Sequence, residues 1–248
     1  MKRLLLSALM LLPLALGAQN HHFVVKDTAA HVVDTYLRML NFDALPDDST
    51  LFLETTITSP SSSDTLVMRR WFAKPEMHRV EVWHADSLLT GYCSNGTNRF
   101  RKFISILGYW EDLEPDIFRR DLRGYDFRGP FHQWHASGLS LQWKGITNYK
   151  NQPLQAIRAT SDNSYDRYYF FDPNNNLLTL ILEDSTINEI STTVLPSHIE
   201  WKVYHEYQPL GECLIPSLES FLRGTTLTIL ATKPRFLPRN TLIFNRDK

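Results

Sequence analysis

His132-Gln133-Trp134-His135 spaces two imidazoles three residues apart, a spacing some metal ligands use. A closed zinc set needs four donors, and no Cys or carboxylate stands close by in the flanking run 128–138. With Gly and Pro around it, that run reads as a loop at the rim of the domain, holding no metal. His21-His22 lies beside a processing point, while His78 and His84 stand at opposite ends of one strand. His198 and His205 point to opposite faces of another. Cys93 and Cys213 leave two readings open. One is a disulfide closing a long loop; the other is two small buried residues on unrelated strands. The sequence has no Gly-x-Ser-x-Gly elbow, no Walker loop and no Gly-x-Gly-x-x-Gly. With no reactive group assembled, neither an enzyme nor a cofactor is expected.

Other polar patterns have local explanations. Glu111, Asp112, Glu114 and Asp116 precede Arg119, Arg120 and Arg123, with Pro115 between and Gly124 after. That polarity complements a helix dipole, and Gly is the residue expected just past a helix end. Asp27-Thr28-Ala29, Asp64-Thr65-Leu66 and Asp86-Ser87-Leu88 resemble periplasmic O-glycosylation tripeptides, a pattern common by chance. Asn95-Gly96-Thr97 fits an N-glycosylation pattern, which an Asn-Gly turn already explains.

Residues 1–18 have the form of a secretory signal: Lys2 and Arg3, an apolar run over 4–16, then Gly17-Ala18. The run falls short of the roughly 20 residues that span a bilayer. With no Cys at the boundary, a lipid anchor is not expected, and residues 19–248 form one soluble periplasmic domain. Loss of Lys2 and Arg3 leaves 24 basic against 27 acidic residues, a balance unsuited to nucleic acid.

The elements that must position any site begin with a helix over 27–40. Val32, Val33, Tyr36, Leu37 and Leu40 recur at helical spacing, and Asp27 or Thr28 can cap it. The period then changes to two. Strands are predicted over 51–58, 65–73, 77–84, 87–94 and 98–104, with Asn95-Gly96 closing a hairpin. After the helical interlude near 111–123, strands resume over 139–146, 154–160, 167–172, 177–183, 198–207, 212–223 and 226–232. The tail 234–244 returns apolar residues to the body. Helices stand at only two points, so a parallel sheet with crossover helices is excluded. One large, curved antiparallel sheet is expected, and strands apolar on both faces, such as 167–172, require both faces to be covered.

Three stretches carry a resemblance to a known family. Lys74-Pro75-Glu76-Met77-His78-Arg79-Val80-Glu81 is similar to the basic-Pro-x-x-x-Arg-x-Glu stretch of the bacterial LolA/LolB-like lipoprotein carriers. Ser94-Asn95-Gly96-Thr97 resembles that family's Asp/Asn-Gly turn, and Tyr168-Tyr169-Phe170-Phe171-Asp172-Pro173 its aromatic hairpin. The resemblance implies a mainly antiparallel, half-open β-barrel covered by lid helices, with an apolar interior for acyl chains and no chemistry. The family's lid-latching arginine corresponds to Lys74, which lacks the planar fork of donors. The protruding apolar loop of the outer-membrane acceptor is not visible in the sequence.

The expected function is sequestration of an acyl chain, a lipid or a lipidated protein by a monomer, with an envelope membrane protein as delivery partner. The expected wall comprises Leu66, Met68, Phe72, Val80, Val82, Leu139, Leu141, Trp143, Ile199, Trp201 and Val203. The rival expectation is an envelope structural protein whose barrel is filled by these side chains.

Overall fold

The computed structural model describes residues 28–122, 125–161, 165–182 and 201–245. The signal segment, Asp27, Arg123, Gly124, His198 and Ile199 lie outside the described residues. Helix α1 (Thr28–Leu40) buries Ala29, Val32, Val33, Tyr36 and Leu40, the stripe its sequence spacing requires. Asn41 ends it in the left-handed region at φ 52°, donating its backbone N–H to Leu37 O at 3.0 Å. A 3₁₀ turn, Phe42–Ala44, then leads into the sheet.

Strand β1 (Ser49–Ser59) lies in the middle of the sheet. The chain steps outward through β2 (Ser62–Ala73), β3 (Met77–His84) and β4 (Ser87–Ser94). It reaches one edge through β5 (Phe100–Ile104) and β6 (Tyr109–Asp112). Helix α2 (Pro115–Leu122) and the turns of 125–138 carry it across to the other edge, β7 (Ser140–Tyr149). It walks back through β8 (Gln152–Ser161), β9 (Tyr165–Phe171), β10 (Leu178–Leu182), β11 (Trp201–Leu210) and β12 (Cys213–Arg223). Strand β13 (Thr226–Pro238) closes the walk by pairing with β1. The described residues thus form one antiparallel sheet of 13 strands, whose edges β6 and β7 stay unpaired with each other. It is an open barrel.

Most element ends differ from the sequence expectation by a few residues, and two differences are larger. Strand β6 is too short, at four residues, to show a period of two. Strand β13 continues through Pro234 and Pro238, beyond the predicted strand end at 232. Beyond Ala231 its pairing with β12 stops while its pairing with β1 goes on, so Pro sits where one side of the strand needs no donor.

Strand alternation separates two faces. On the helix-covered face, α1, Phe131 and Trp134 pack on Ile157, Ala159, Tyr169, Phe171, Leu178 and Ile181. Beside them Phe42, Leu45 and Phe127 cover Leu51, Leu53, Phe72 and Ile215. Phe118 and Leu122 of α2 cover Met68, Val80, Val82 and Tyr92. The opposite face carries Leu154, Ala156, Tyr168, Phe170, Leu180, Leu182 and Val203 as a second layer. Further along it, Phe244 and Ile243 of the terminal 3₁₀ turn Thr241–Phe244 cover Ala73, Met77, Cys93 and Trp110. Both aromatic rows of 168–171 are therefore buried, as expected of a strand covered on both sides.

Candidate functional site

Four segments converge at one end of the helix-covered face. The β2–β3 turn supplies Lys74, Pro75 and Glu76, with a cis Lys74–Pro75 peptide bond. The 3₁₀ turn and the residues after it supply Phe42, Asp43 and Asp47; the crossover supplies Arg128 and His132; Arg239 follows β13. With Phe72 in the wall, they enclose a pocket of about 530 Å³.

Arg128 organises this pocket. Its Nη1 and Nη2 meet Glu76 Oε1 and Oε2 at 3.0 and 3.2 Å. Its Nε and Nη2 also donate to Asp126 Oδ1 and Oδ2 at 3.0 and 2.8 Å. The guanidinium carbon lies 5.0 Å from the Phe72 ring centroid, so one face is also covered by an aromatic ring. Fork-to-fork pairing of this kind fixes orientation as well as charge. Burial alone would raise the Glu76 carboxyl. Hydrogen bonds from His78 and Arg128, with the Arg128 charge, outweigh it and hold the pKa at about 2. Asp126 is likewise held down by Arg128 against its burial, and Arg128 is pushed up by its two carboxylates.

Two imidazoles border this network. His78 Nε2 is 3.2 Å from both Arg128 Nη2 and Glu76 Oε2. The first group can only donate and the second, ionised, only accept, so the His78 tautomer decides which contact is a hydrogen bond. Among the described residues His132 Nε2 is buried without a hydrogen-bond partner, 4.0 Å from Glu76 Oε1. Burial and the Arg128 charge lower its pKa, against the opposing charges of Asp126 and Glu76. His135 instead stacks on Trp134 and approaches Asp34 of α1 at 3.6 Å. The two histidines of the sequence motif thus attach to different partners. Among the described residues no group of three or more His, Cys, Asp or Glu could hold a metal ion.

Lys74 donates from Nζ to Asp43 O at 2.7 Å and lies 3.2 Å from Asp47 Oδ1. Arg239 donates from Nη2 to Lys74 O at 2.9 Å and from Nη1 to Asp47 O. Two cations therefore tie the turn after α1 to the β2–β3 turn and the end of β13. No spacing rule brings Glu76, Arg128 and Arg239 to one pocket, because they come from three separate segments.

The expected wall divides. Leu66, Met68, Val80 and Val82 share the helix-covered face under α2, and Phe72 lies on it at the pocket. Leu139, Leu141 and Trp143 pack on that face against the cluster under α1. Trp201 and Val203 do not join them: their cluster lies on the opposite face, opposite Leu182 and Leu180 of β10. An apolar residue on a doubly covered strand does not declare which layer it serves, so the sequence does not separate these two residues from the others. Ile199 lies outside the described residues. The candidate disulfide is not formed. Cys93 and Cys213 are free and buried, in clusters on opposite faces, their thiols donating to Phe244 O and Asn41 O at 3.0 and 3.2 Å. An exposed apolar turn, absent from the sequence reading, also appears: between β5 and β6, Ile106 is 94% and Leu107 59% exposed. Two residues are too few to register as an apolar run.

No family model matches the sequence, and no curated protein matches it. Solved structures do match. A LolA superfamily protein from Nitrosomonas europaea superposes with a TM-score of 0.57 at 12% identity, over 88% of this chain and 97% of that one. A DUF1329 family protein from Desulfovibrio piger gives 0.54 at 10% identity, over 85% and 93%. A domain assigned to outer membrane lipoprotein sorting in Vibrio parahaemolyticus gives 0.52 at 11% identity, over 86% and 100%. The chain has the LolA-like fold.

Proposed function

We propose that this protein is a non-catalytic periplasmic carrier that sequesters an acyl chain, a lipid or a lipidated protein between its sheet and its helical cover. The observation that carries the reading is the attachment of the cover. At the pocket rim the turn after α1 is held by side-chain contacts, Lys74 Nζ to Asp43 O among them, by one backbone bond from Arg239 N to Asp48 O and by the packing of Phe42 and Leu45, and the sheet edges β6 and β7 are unpaired with each other. A cover so fixed can lift without breaking a strand ladder. Beneath α2 the wall is apolar, and Ile57 and Leu66 remain only half-buried. Burial of apolar ligand surface is worth about 25 cal/mol per Å², so a ligand of a few hundred Å² binds without any reactive group. The superpositions support the fold on which this reading rests.

A second reading has its own observation. Under α1 the space is filled: Tyr36, Phe131, Tyr169 and Phe171 are essentially fully buried and meet ring to ring. An envelope structural protein needs no more than that. Organic extraction of the protein purified from its native envelope, with mass spectrometry, tests the choice. A stoichiometric amphiphile is the expected result; its absence, with no binding of a dansyl-labelled fatty acid by the delipidated protein, overturns the carrier reading. The mature chain is expected to begin near Gln19 without a lipid, which N-terminal sequencing checks.

A further inference from the structure

A polar seam crosses the helix-covered face of the central strands. Register sets Arg70 of β2 opposite Leu53 of β1, and Thr55 of β1 between Met68 of β2 and Thr232 of β13. On β12, Glu219 pairs across with Tyr204 of β11, whose neighbour Lys202 approaches the Glu219 carboxylate. Thr55 and Thr232 are buried and bond to each other through their hydroxyls at 2.8 Å. Apolar clusters flank the seam on both sides, Leu51, Leu53 and Ile215 on one and Met68, Val80 and Val82 on the other. Phe72 of the rim pocket is two residues from Arg70 on the same strand face, about 7 Å further out.

Arg70 is the anomaly in this seam. A guanidinium carries five N–H donors and no acceptor. Among the described residues it makes one hydrogen bond, from Nη2 to Thr55 Oγ1 at 3.0 Å, while its Nε is buried without a partner. The carboxylate in the seam is taken by Lys202, and Asp126, the other acid near it, is held by Arg128. Burial pushes the Arg70 pKa down, with only partial relief from Glu219, Asp126 and Tyr204. Yet Arg70, Lys202 and Tyr204 are each only half-buried, so solvent reaches the seam. A cation left short of acceptors within reach of solvent, between two apolar walls, fits a ligand that brings its own oxygen anion on an apolar chain.

We propose that Arg70, assisted by Thr55, binds the anionic head of a single-chain amphiphile, a carboxylate or phosphate, whose acyl chain lies along Leu66, Met68, Val80 and Val82 beneath α2. The assignment rests on the carrier reading and narrows its ligand class to acidic lipids. The head group lies inside the fold, inward of the rim pocket, and the chain runs along the apolar wall.

The test uses the delipidated mature protein, titrated with oleate, oleyl phosphate and oleyl alcohol, which share one chain and differ in the head. Wild type is expected to bind at least one acid about tenfold or more tightly than the alcohol, the worth of one charge-assisted hydrogen bond pair. Whichever acid is preferred names the head group. Arg70→Met should bind the alcohol as before and lose the acid preference, and Arg70→Lys should keep part of it. Ligand-free Arg70→Met should melt at or above the wild-type temperature, because it removes a cation short of acceptors. Equal binding of acid and alcohol by wild type overturns the head-group assignment and leaves the carrier reading intact. So does an acid preference that survives in Arg70→Met. Displacement of oleate by inorganic phosphate with no alcohol binding marks a free-anion site and overturns the carrier reading as well. Binding of neither acid nor alcohol by wild type overturns the carrier reading and this assignment together.

Discussion

Arg128 and Glu76 meet fork to fork, Nη1 on Oε1 at 3.0 Å and Nη2 on Oε2 at 3.2 Å, although 52 residues separate them. The pair joins the crossover between the sheet edges to the turn between two central strands. It therefore decides how firmly the cover is seated over the pocket.

Acid should loosen that seat first. The Glu76 carboxyl titrates at about 2 in the folded chain, against an ordinary value near 4.3 when unfolded. A lowered folded pKa means stability that is fully present above about pH 4.3 and is lost as pH falls toward 2. Glu76 is 44% exposed, so solvent screens the pair and the loss should be modest, about 1 kcal/mol. Thermal melts of wild type and Glu76→Gln should differ at pH 7 and converge by pH 2. A constant difference across that range would show that the Glu76 charge does not contribute.

Lys74→Ala should raise the exchange rate of a bound fluorescent fatty acid while changing stability by only about 1 kcal/mol, because the contacts it removes, to Asp43 O and Asp47 Oδ1, are partly exposed. Stopped-flow displacement reads this directly. Unchanged kinetics would mean that these contacts do not gate the cover.

Trp143 and Trp201 should separate by face. Trp143→Ala opens the packing against the cluster under α1, and both substitutions should cost up to about 3 kcal/mol, less than a fully buried ring. Only substitutions on the helix-covered face should alter probe affinity, so Trp201→Ala should bind the probe as wild type does. Parallel denaturant melts and probe titrations check it; a severalfold affinity loss in Trp201→Ala would contradict the assignment of faces.

Both thiols should be silent in the native protein. Burial raises the Cys93 thiol to about 11, with Arg79 and other cations opposing, and Cys213 is raised as well. Ellman's reagent should find no reactive thiol in the folded chain and two after denaturation without reductant. Absence of thiols after denaturation would indicate a bridge.

Much of this architecture is written locally. Strands β3 and β4 run Met77–His84 and Ser87–Ser94, the bounds that turn residues predict, because Lys74-Pro75, Ala85-Asp86 and Asn95-Gly96 interrupt the alternation. Helix α1 follows from one apolar stripe, and α2 from Pro115 and the charge polarity around it. Antiparallel sense and most of the strands are consequences of short-range period and turn chemistry, which act within about ten residues; the four-residue β6 is too short to be read that way. Which face a residue serves is not local. The register shift between Trp143 and Gly145 moves the side chains of β7 from one layer to the other, and a period of two offers no sign of it. The Arg128–Glu76–Asp126 network and the acceptor-poor Arg70 depend on strands and crossings brought together from distant parts of the chain. Charge and hydrogen bonding act through space, and only the folded sheet sets those distances.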